Sequence, residues 1–325
     1  VKATAMVSNA ILMVVSISIA GLMAEGFIRY GTAEQQNYVI EMWRYAKLLK
    51  RKSDNPDVGH EHIPQSHARL QNIDISINEL GMRGPLPRTN ATHRIAIIGD
   101  SIAFGWGVSE SETLRGHLDS LLPDNIDVIN AGLGNLNLFQ AASHWKDISR
   151  NIDADILVVL PTQRSNVRHI QEETNWLVKN SVLAALGTTF FKQLMSGQYG
   201  EQALIDGLKD RWSSQQGDTI LRQAFDSFDQ YAKAHKAHVI IVNIPDSHDF
   251  NNYKFGFVDD KVREFSDSYG FVFYNPLQSL QGPPSKQYWA SSNDIHLNGA
   301  AYKIIANALN PIIDDLYENK AENKQ

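Results

Sequence analysis

Ser101 is where the residue types of this chain most clearly allow chemistry. It closes Gly99-Asp100-Ser101, directly after the all-apolar run Ile95-Ala96-Ile97-Ile98. A short run without polar residues reads as a strand buried on both faces. A serine at the carboxyl end of a parallel strand lies where open α/β sheets hold their ligands. The same residues would also serve as a polar turn linking strand to helix, and Ser109-Glu110-Ser111-Glu112 has the capping-box spacing that starts a helix. A serine hydroxyl is a weak nucleophile until a neighbouring base takes its proton, so a working site needs serine, base and a group that orients the base. Other chemistries find less support. The chain has no cysteine, which excludes disulfides and thiolate metal sites. His60 and His62 are a bare H-x-H in a polar loop, and no H-E-x-x-H spacing occurs, so no metal is expected. Gly99, Gly105 and Gly107 do not make the dinucleotide fingerprint and no Walker-type phosphate loop is present, so no cofactor is expected.

Gly99-Asp100-Ser101 after a buried strand resembles the first motif of the SGNH (GDSL-type) hydrolases. Asn293-Asp294-Ile295-His296-Leu297-Asn298-Gly299 resembles that family's last motif, which supplies the Asp and His of a catalytic triad. The resemblance runs over about residues 78–309. It implies Ser101 as nucleophile, His296 as general base, and Asp294 as the group that holds the imidazole in the correct tautomer. The family's commonest spacing is Asp-x-x-His, which would put Asn293 at the acid position; Asp294-Ile295-His296 is the shorter D-x-H form, which also occurs in the wider family. With Asp294 turned away, the site would reduce to a Ser-His dyad oriented by Asn293 or a backbone carbonyl.

The resemblance also implies three oxyanion donors. Ser101 N–H is one. Gly134, in the block Asn130-Ala131-Gly132-Leu133-Gly134-Asn135, is the expected second, and counting to Gln140 offers Asn135 in its place. The third in the family is an asparagine after the third strand; in Leu160-Pro161-Thr162-Gln163-Arg164-Ser165-Asn166 only Asn166 qualifies, and it could equally be a turn residue. The activity implied is that of a serine esterase working through an acyl-serine, on a small acyl ester or an O-acylated carbohydrate or lipid. The alternatives are an O-acyltransferase on a polysaccharide and a non-catalytic carbohydrate-binding module on the same fold.

The elements that would position these residues alternate cleanly. Strands are expected at 94–99, 126–130, 155–160, 238–244 and 271–274. Between them lie the helical stripes Leu114, Leu118, Leu121; Leu138, Ala141, Trp145, Ile148; and Leu221, Phe225, Phe228, Ala232. A closing helix carries Ile304, Ile305, Ala308, Ile312 and Leu316, kinked or restarted at Pro311. Apolar strands separated by amphipathic helices mean a parallel sheet covered on both faces. The expected fold class is α/β, a three-layer α/β/α flavodoxin-like sheet preceded by one transmembrane helix. Residues 163–218 are too long for a plain crossover, and their apolar stretch 176–195 is either an extra core helix or a lid and acyl-binding wall over the site.

At 325 residues and 43% hydrophobic content, one sizeable core can form, and a net charge of −6 argues against nucleic acid as a partner. Residues 6–28 are apolar or small, with no charge before Glu25, and their length suits a membrane span. An uncleaved anchor is favoured over a signal peptide cut at Ser18-Ile19-Ala20. The basic residues Arg44, Lys47, Lys50, Arg51 and Lys52 would keep the following side cytoplasmic, whereas the family resemblance implies an extracytoplasmic, periplasmic-type domain; the expectation leans outside. Domain limits are expected at 1–30 for the anchor, 31–77 for a linker with an amphipathic segment, 78–317 for the hydrolase-like domain and 318–325 for a flexible tail. Met42, Tyr45, Ala46 and Leu49 would form the stripe of that amphipathic segment, resting on lipid headgroups or on the domain. Trp106 is expected to pack the loop and Asp100 to brace the turn. Arg83 could reach an anionic substrate group but is expected in a structural ion pair. His248 and Asp249, on the catalytic edge after the fourth strand, could touch substrate but are expected to serve their loop.

Overall fold

The computed structural model describes residues 2–31, 37–167, 175–195 and 201–322. Its N-terminal helix α1 (Lys2–Gly31) includes a stretch, Met6–Gly31, long and apolar enough to cross a membrane. Helix α2 (Tyr38–Leu48) follows, capped by the Asn37 side chain. Two antiparallel hairpins come next: β1 (Lys50–Lys52) with β2 (His60–His62), and β3 (His67–Leu70) with β4 (Ile73–Ser76). The segment expected as a polar linker is therefore folded. Tyr45, Leu49, Leu70, Ile75 and Ile77 bury themselves against Phe104 and Trp106, just beyond Ser101. The buried stripe of α2 is Glu41, Tyr45 and Leu49, and Ala46 faces outward.

The five apolar runs form one parallel sheet from β5 (His93–Gly99), β6 (Ile126–Asn130), β7 (Ile156–Leu160), β8 (His238–Val242) and β9 (Val272–Tyr274), in the order β6-β5-β7-β8-β9. Side chains alternate between faces along a strand, and both faces are covered. Ala96, Ile98, Leu157, Val159, Val239 and Ile241 meet helices α5 (Leu138–Ile148), α9 (Gln215–His235) and α10 (Gly256–Tyr269). Ile95, Ile97, Ile156, Val158, Ile240 and Val242 meet α4 (Leu114–Leu121) and α12 (Gly299–Glu322). This is the expected α/β/α sandwich. The sheet order reverses between β6 and β7 around β5, so the carboxyl end of β5 opens on a switch point, where such sheets hold ligands.

Local details differ from the expectation. The capping box at Ser109–Glu112 starts a single 3₁₀ turn, and Thr113 caps α4 instead. Leu122 replaces Leu121 in its buried stripe. Helix α12 runs unbroken through Pro311. It reaches Glu322, so the expected tail begins within it; 323–325 lie outside the described residues. The insertion carries α6 (Trp176–Asn180), α7 (Val182–Met195) and α8 (Glu201–Trp212). Two short pieces complete the order: α3 (Ser101–Phe104) after β5 and α11 (Leu277–Leu280) after β9. A last hairpin pairs β10 (Trp289–Ser291) with β11 (Asp294–Leu297).

Candidate active site

Ser101 is the first residue of α3, two residues past the end of β5. Asp100 braces the turn: its Oδ1 accepts from the Ile102 N–H at 2.9 Å and its Oδ2 from the Thr162 hydroxyl at 3.2 Å. Burial pushes its carboxyl up, against the opposing pull of those donors and of His296. Gly105 ends α3 at φ 81°, where a Cβ would lie 2.5 Å from Thr113 Cγ2. That left-handed turn admits glycine at no steric cost, and it sends Trp106 back under the serine.

His296 arrives on β11, 195 positions later, with Nε2 2.8 Å from Ser101 Oγ. On its other side, Nδ1 lies 2.6 Å from Asp294 Oδ1, which also accepts from the His296 backbone N–H at 3.1 Å. The D-x-H spacing thus folds the carboxylate back onto the imidazole it precedes. Asp294 Oδ2 accepts from Trp106 Nε1 at 2.8 Å and from Gln71 Nε2 at 3.2 Å. Burial raises the Asp294 carboxyl, but the His296 contacts and the Trp106 bond outweigh it and hold it below its ordinary value. Asn293 lines the cavity but does not take the orienting position. The Tyr38 ring, from the start of α2, stacks on His296 with centroids 6.0 Å apart.

Ser101 and His296 open into a cavity of about 460 Å³. Of the residues expected as oxyanion donors, Ser101 and Asn135 line it, and Gly134 and Asn166 do not. The expectation for Gly134 is corrected. Its N–H donates to the buried Tyr45 hydroxyl at 3.1 Å, and its carbonyl accepts from Lys50 Nζ at 2.6 Å. Asn135 follows at φ 71°, in the left-handed region that non-glycine residues adopt sparingly. Asn166 is corrected too: it is buried beneath the loop, its amide facing the Arg211 carbonyl at 3.4 Å and crowding Gly217. Gln163 reaches the cavity in its stead, donating to Asp246 Oδ2 at 2.8 Å.

Asp246 also holds His248, with Nδ1 2.7 Å from Asp246 Oδ1 and the His248 backbone N–H at 3.1 Å from the same oxygen. This second D-x-H unit, after β8, repeats the geometry of Asp294-Ile295-His296 and lines the same cavity. His248 thus lines the cavity, in line with its place on the catalytic edge; the repeated D-x-H spacing was the available signal. Arg83 forms the expected ion pair, with Glu110 at 3.0 Å, and donates to the carbonyls of Phe104, Gly105 and Val108. His62 is buried between the Tyr45 hydroxyl and the Gly81 carbonyl. Among the described residues no group of three His, Cys, Asp or Glu side chains is placed to hold a metal ion.

No protein-family model and no curated protein sequence matches the chain. Several solved structures are similar to it. One is a carbohydrate acetylesterase family member from Sinorhizobium meliloti, 12% identical over 68% of this chain and 97% of that one, with a TM-score of 0.40. Another is a catalytic mutant of an acetylxylan esterase from Geobacillus stearothermophilus, 12% identical over 68% and 93%, TM-score 0.43. A third is a member of the lipolytic protein G-D-S-L family from Veillonella parvula, 10% identical over 67% and 96%, TM-score 0.42.

Proposed function

We propose that this chain is a serine esterase of the SGNH type, held to a membrane by α1. The observation that carries the reading is the continuous relay Ser101–His296–Asp294, at 2.8 and 2.6 Å, opening into a cavity. Ser101 Oγ attacks the ester carbonyl carbon as His296 Nε2 takes its proton. Asp294 keeps the other imidazole proton on Nδ1 and stabilises the imidazolium. The oxyanion is met by backbone donors at Ser101 and Asn135, pre-placed by the cap of α3 and the left-handed turn. Collapse of the tetrahedral intermediate breaks the carbon–alkoxide bond, and His296 returns its proton to the leaving oxygen. Water then attacks the acyl-serine by the same steps, releasing the carboxylic acid.

A fluorophosphonate probe tests this directly. The wild type should be labelled and Ser101→Ala should not; folded wild-type protein that resists labelling would leave the non-catalytic binding module as the better account. The Asp246–His248 pair favours a second reading, O-acyl transfer. An imidazole fixed by its own carboxylate on the cavity wall is a second group that can hold and deprotonate an incoming hydroxyl. With an added polyol acceptor, His248→Ala should lower the transfer-to-hydrolysis ratio; an unchanged ratio removes this reading.

A further inference from the structure

Helices α6 and α7 expose a set of large apolar side chains. Trp176 is 75% exposed, Phe190 68% and Phe191 60%, with Leu177 and Leu183 beside them. Leu183, Gly187, Phe190 and Phe191 recur at i, i+4, i+7 and i+8, which is one stripe of a helix. Val182 and Ala185, off that stripe, are buried. An apolar stripe of this size turned to water is unusual for a soluble surface.

The position of α7 says what covers it. Its N-terminus is fastened to α1, the candidate span: Glu25 accepts from the N–H groups of Val182 and Leu183 at 3.0 and 2.9 Å, and from the Ser181 hydroxyl at 2.7 Å. Arg29 donates to the Asn180 carbonyl and lies over the Trp43 ring. Trp43 Nε1 in turn donates to the Val178 carbonyl at 3.0 Å. Glu25, Arg29 and Tyr30 are the polar and aromatic residues that end the apolar stretch of α1, and such residues mark where a span leaves the hydrocarbon. The apolar stripe therefore begins at the depth of the membrane–water interface.

We infer that α6 and α7 lie in the interface of the bilayer that α1 enters, with Trp176, Phe190 and Phe191 set among the lipid acyl chains. This surface holds the cavity over the membrane. Tyr38, which stacks on His296, is only seven residues past Gly31, the end of α1. That length of chain spans at most about 25 Å. The substrate class that follows is an ester carried by the membrane itself, a lipid or lipid-linked molecule. The docking surface rests on reading α1 as a span, and the substrate class rests in addition on the esterase reading.

Because the chain has no cysteine, single-thiol variants report one position each. Full-length Phe190→Cys and Phe191→Cys, carrying a nitrobenzoxadiazole fluorophore in phosphatidylcholine–phosphatidylglycerol vesicles, should be quenched by spin labels on the acyl chains. Phe27→Cys in α1 should behave likewise, and Lys233→Cys on α9 should respond only to a water-soluble quencher. Quenching at position 27 with water-exposed fluorophores at 190 and 191 overturns the docking surface alone. No quenching at 27 overturns the span as well. In the same vesicles, Phe190→Asp should lower hydrolysis of a short-acyl phosphatidylcholine about tenfold, from the lost burial of one aromatic side chain, and leave soluble p-nitrophenyl acetate untouched. Equal rates on the lipid ester for variant and wild type overturn the substrate class. A wild type inactive on both esters overturns the esterase reading while the quenching result stands.

Discussion

Replacing Asp294 with Asn exchanges one oxygen for an NH₂ and leaves the side-chain volume almost untouched. In the native site Oδ1 faces two donors of His296, at 2.6 and 3.1 Å, and Oδ2 faces Trp106 Nε1 and Gln71 Nε2, at 2.8 and 3.2 Å. An amide cannot satisfy both sides. With its oxygen toward His296, its NH₂ meets two N–H donors. With its NH₂ toward His296, the imidazole must accept at Nδ1 and carry its proton on Nε2, where it can no longer take one from Ser101. In serine triads the second arrangement lowers turnover by about 10⁴, or about 5 kcal/mol at 1.36 kcal/mol per tenfold. We expect kcat/KM for p-nitrophenyl acetate to fall about 10³- to 10⁴-fold. The two donors behind Asp294 make a further, sharper claim. Trp106→Phe removes one of them, so Trp106→Phe combined with Asp294→Asn lets the amide oxygen turn to His296. The double variant should be at least about tenfold faster than Asp294→Asn alone, a coupling of the size expected for residues in one hydrogen-bond network. Asp294→Asn within tenfold of wild type would show that the carboxylate does not set the tautomer. A double variant no faster than the single would show that Trp106 does not choose the amide's orientation.

Three further outcomes follow from the surroundings of the site. Arg83, 2% exposed, satisfies three carbonyls and Glu110; Arg83→Met should cost about 3 kcal/mol in urea unfolding by taking the donor from those buried carbonyls, while Glu110 keeps Arg115 at 3.7 Å, and a loss under about 1 kcal/mol would refute its structural role. Desolvation lowers the Lys50 ammonium from 10.5 to about 7, so between these values the unfolded chain binds a proton that the folded chain does not, and stability rises with pH. Thermal midpoints should therefore climb from pH 7 to 9 in the wild type and more shallowly in Lys50→Met; parallel slopes would refute the shift. Asn135→Gly keeps the backbone N–H and relieves the left-handed strain at φ 71°, so activity should stay within about threefold; a hundredfold loss, the size expected for a missing oxyanion donor, would mean that the Asn135 side chain takes part.

Much of this was legible because it is local. The buried runs of β5 to β8 follow from unbroken apolar stretches, and the stripes of α5 and α9 from their spacing, since each pattern reports a face that must leave water. The two β-hairpins between Lys50 and Ser76 were not legible: their strands are three or four residues long, mixed in polarity, and stabilised by packing on Phe104 and Trp106. Glu25 gave no sign that it would cap α7, because its partners are more than 150 positions away.

The sequence by itself determined that a serine ends a buried strand and that an aspartate and a histidine stand two apart near the far end. Only the tertiary structure decided which residue of the glycine block lines the cavity. Tyr45, 89 positions before Gly134, takes that glycine's N–H, and the next residue, at φ 71°, lines the cavity together with Ser101. It also decided that Asp246–His248 shares the cavity and that Asn166 does not. Hydrophobic period is written residue by residue, whereas a hydrogen-bond partner is set by where distant elements stop. That difference is why the fold and the relay could be anticipated and the lining of the site could not.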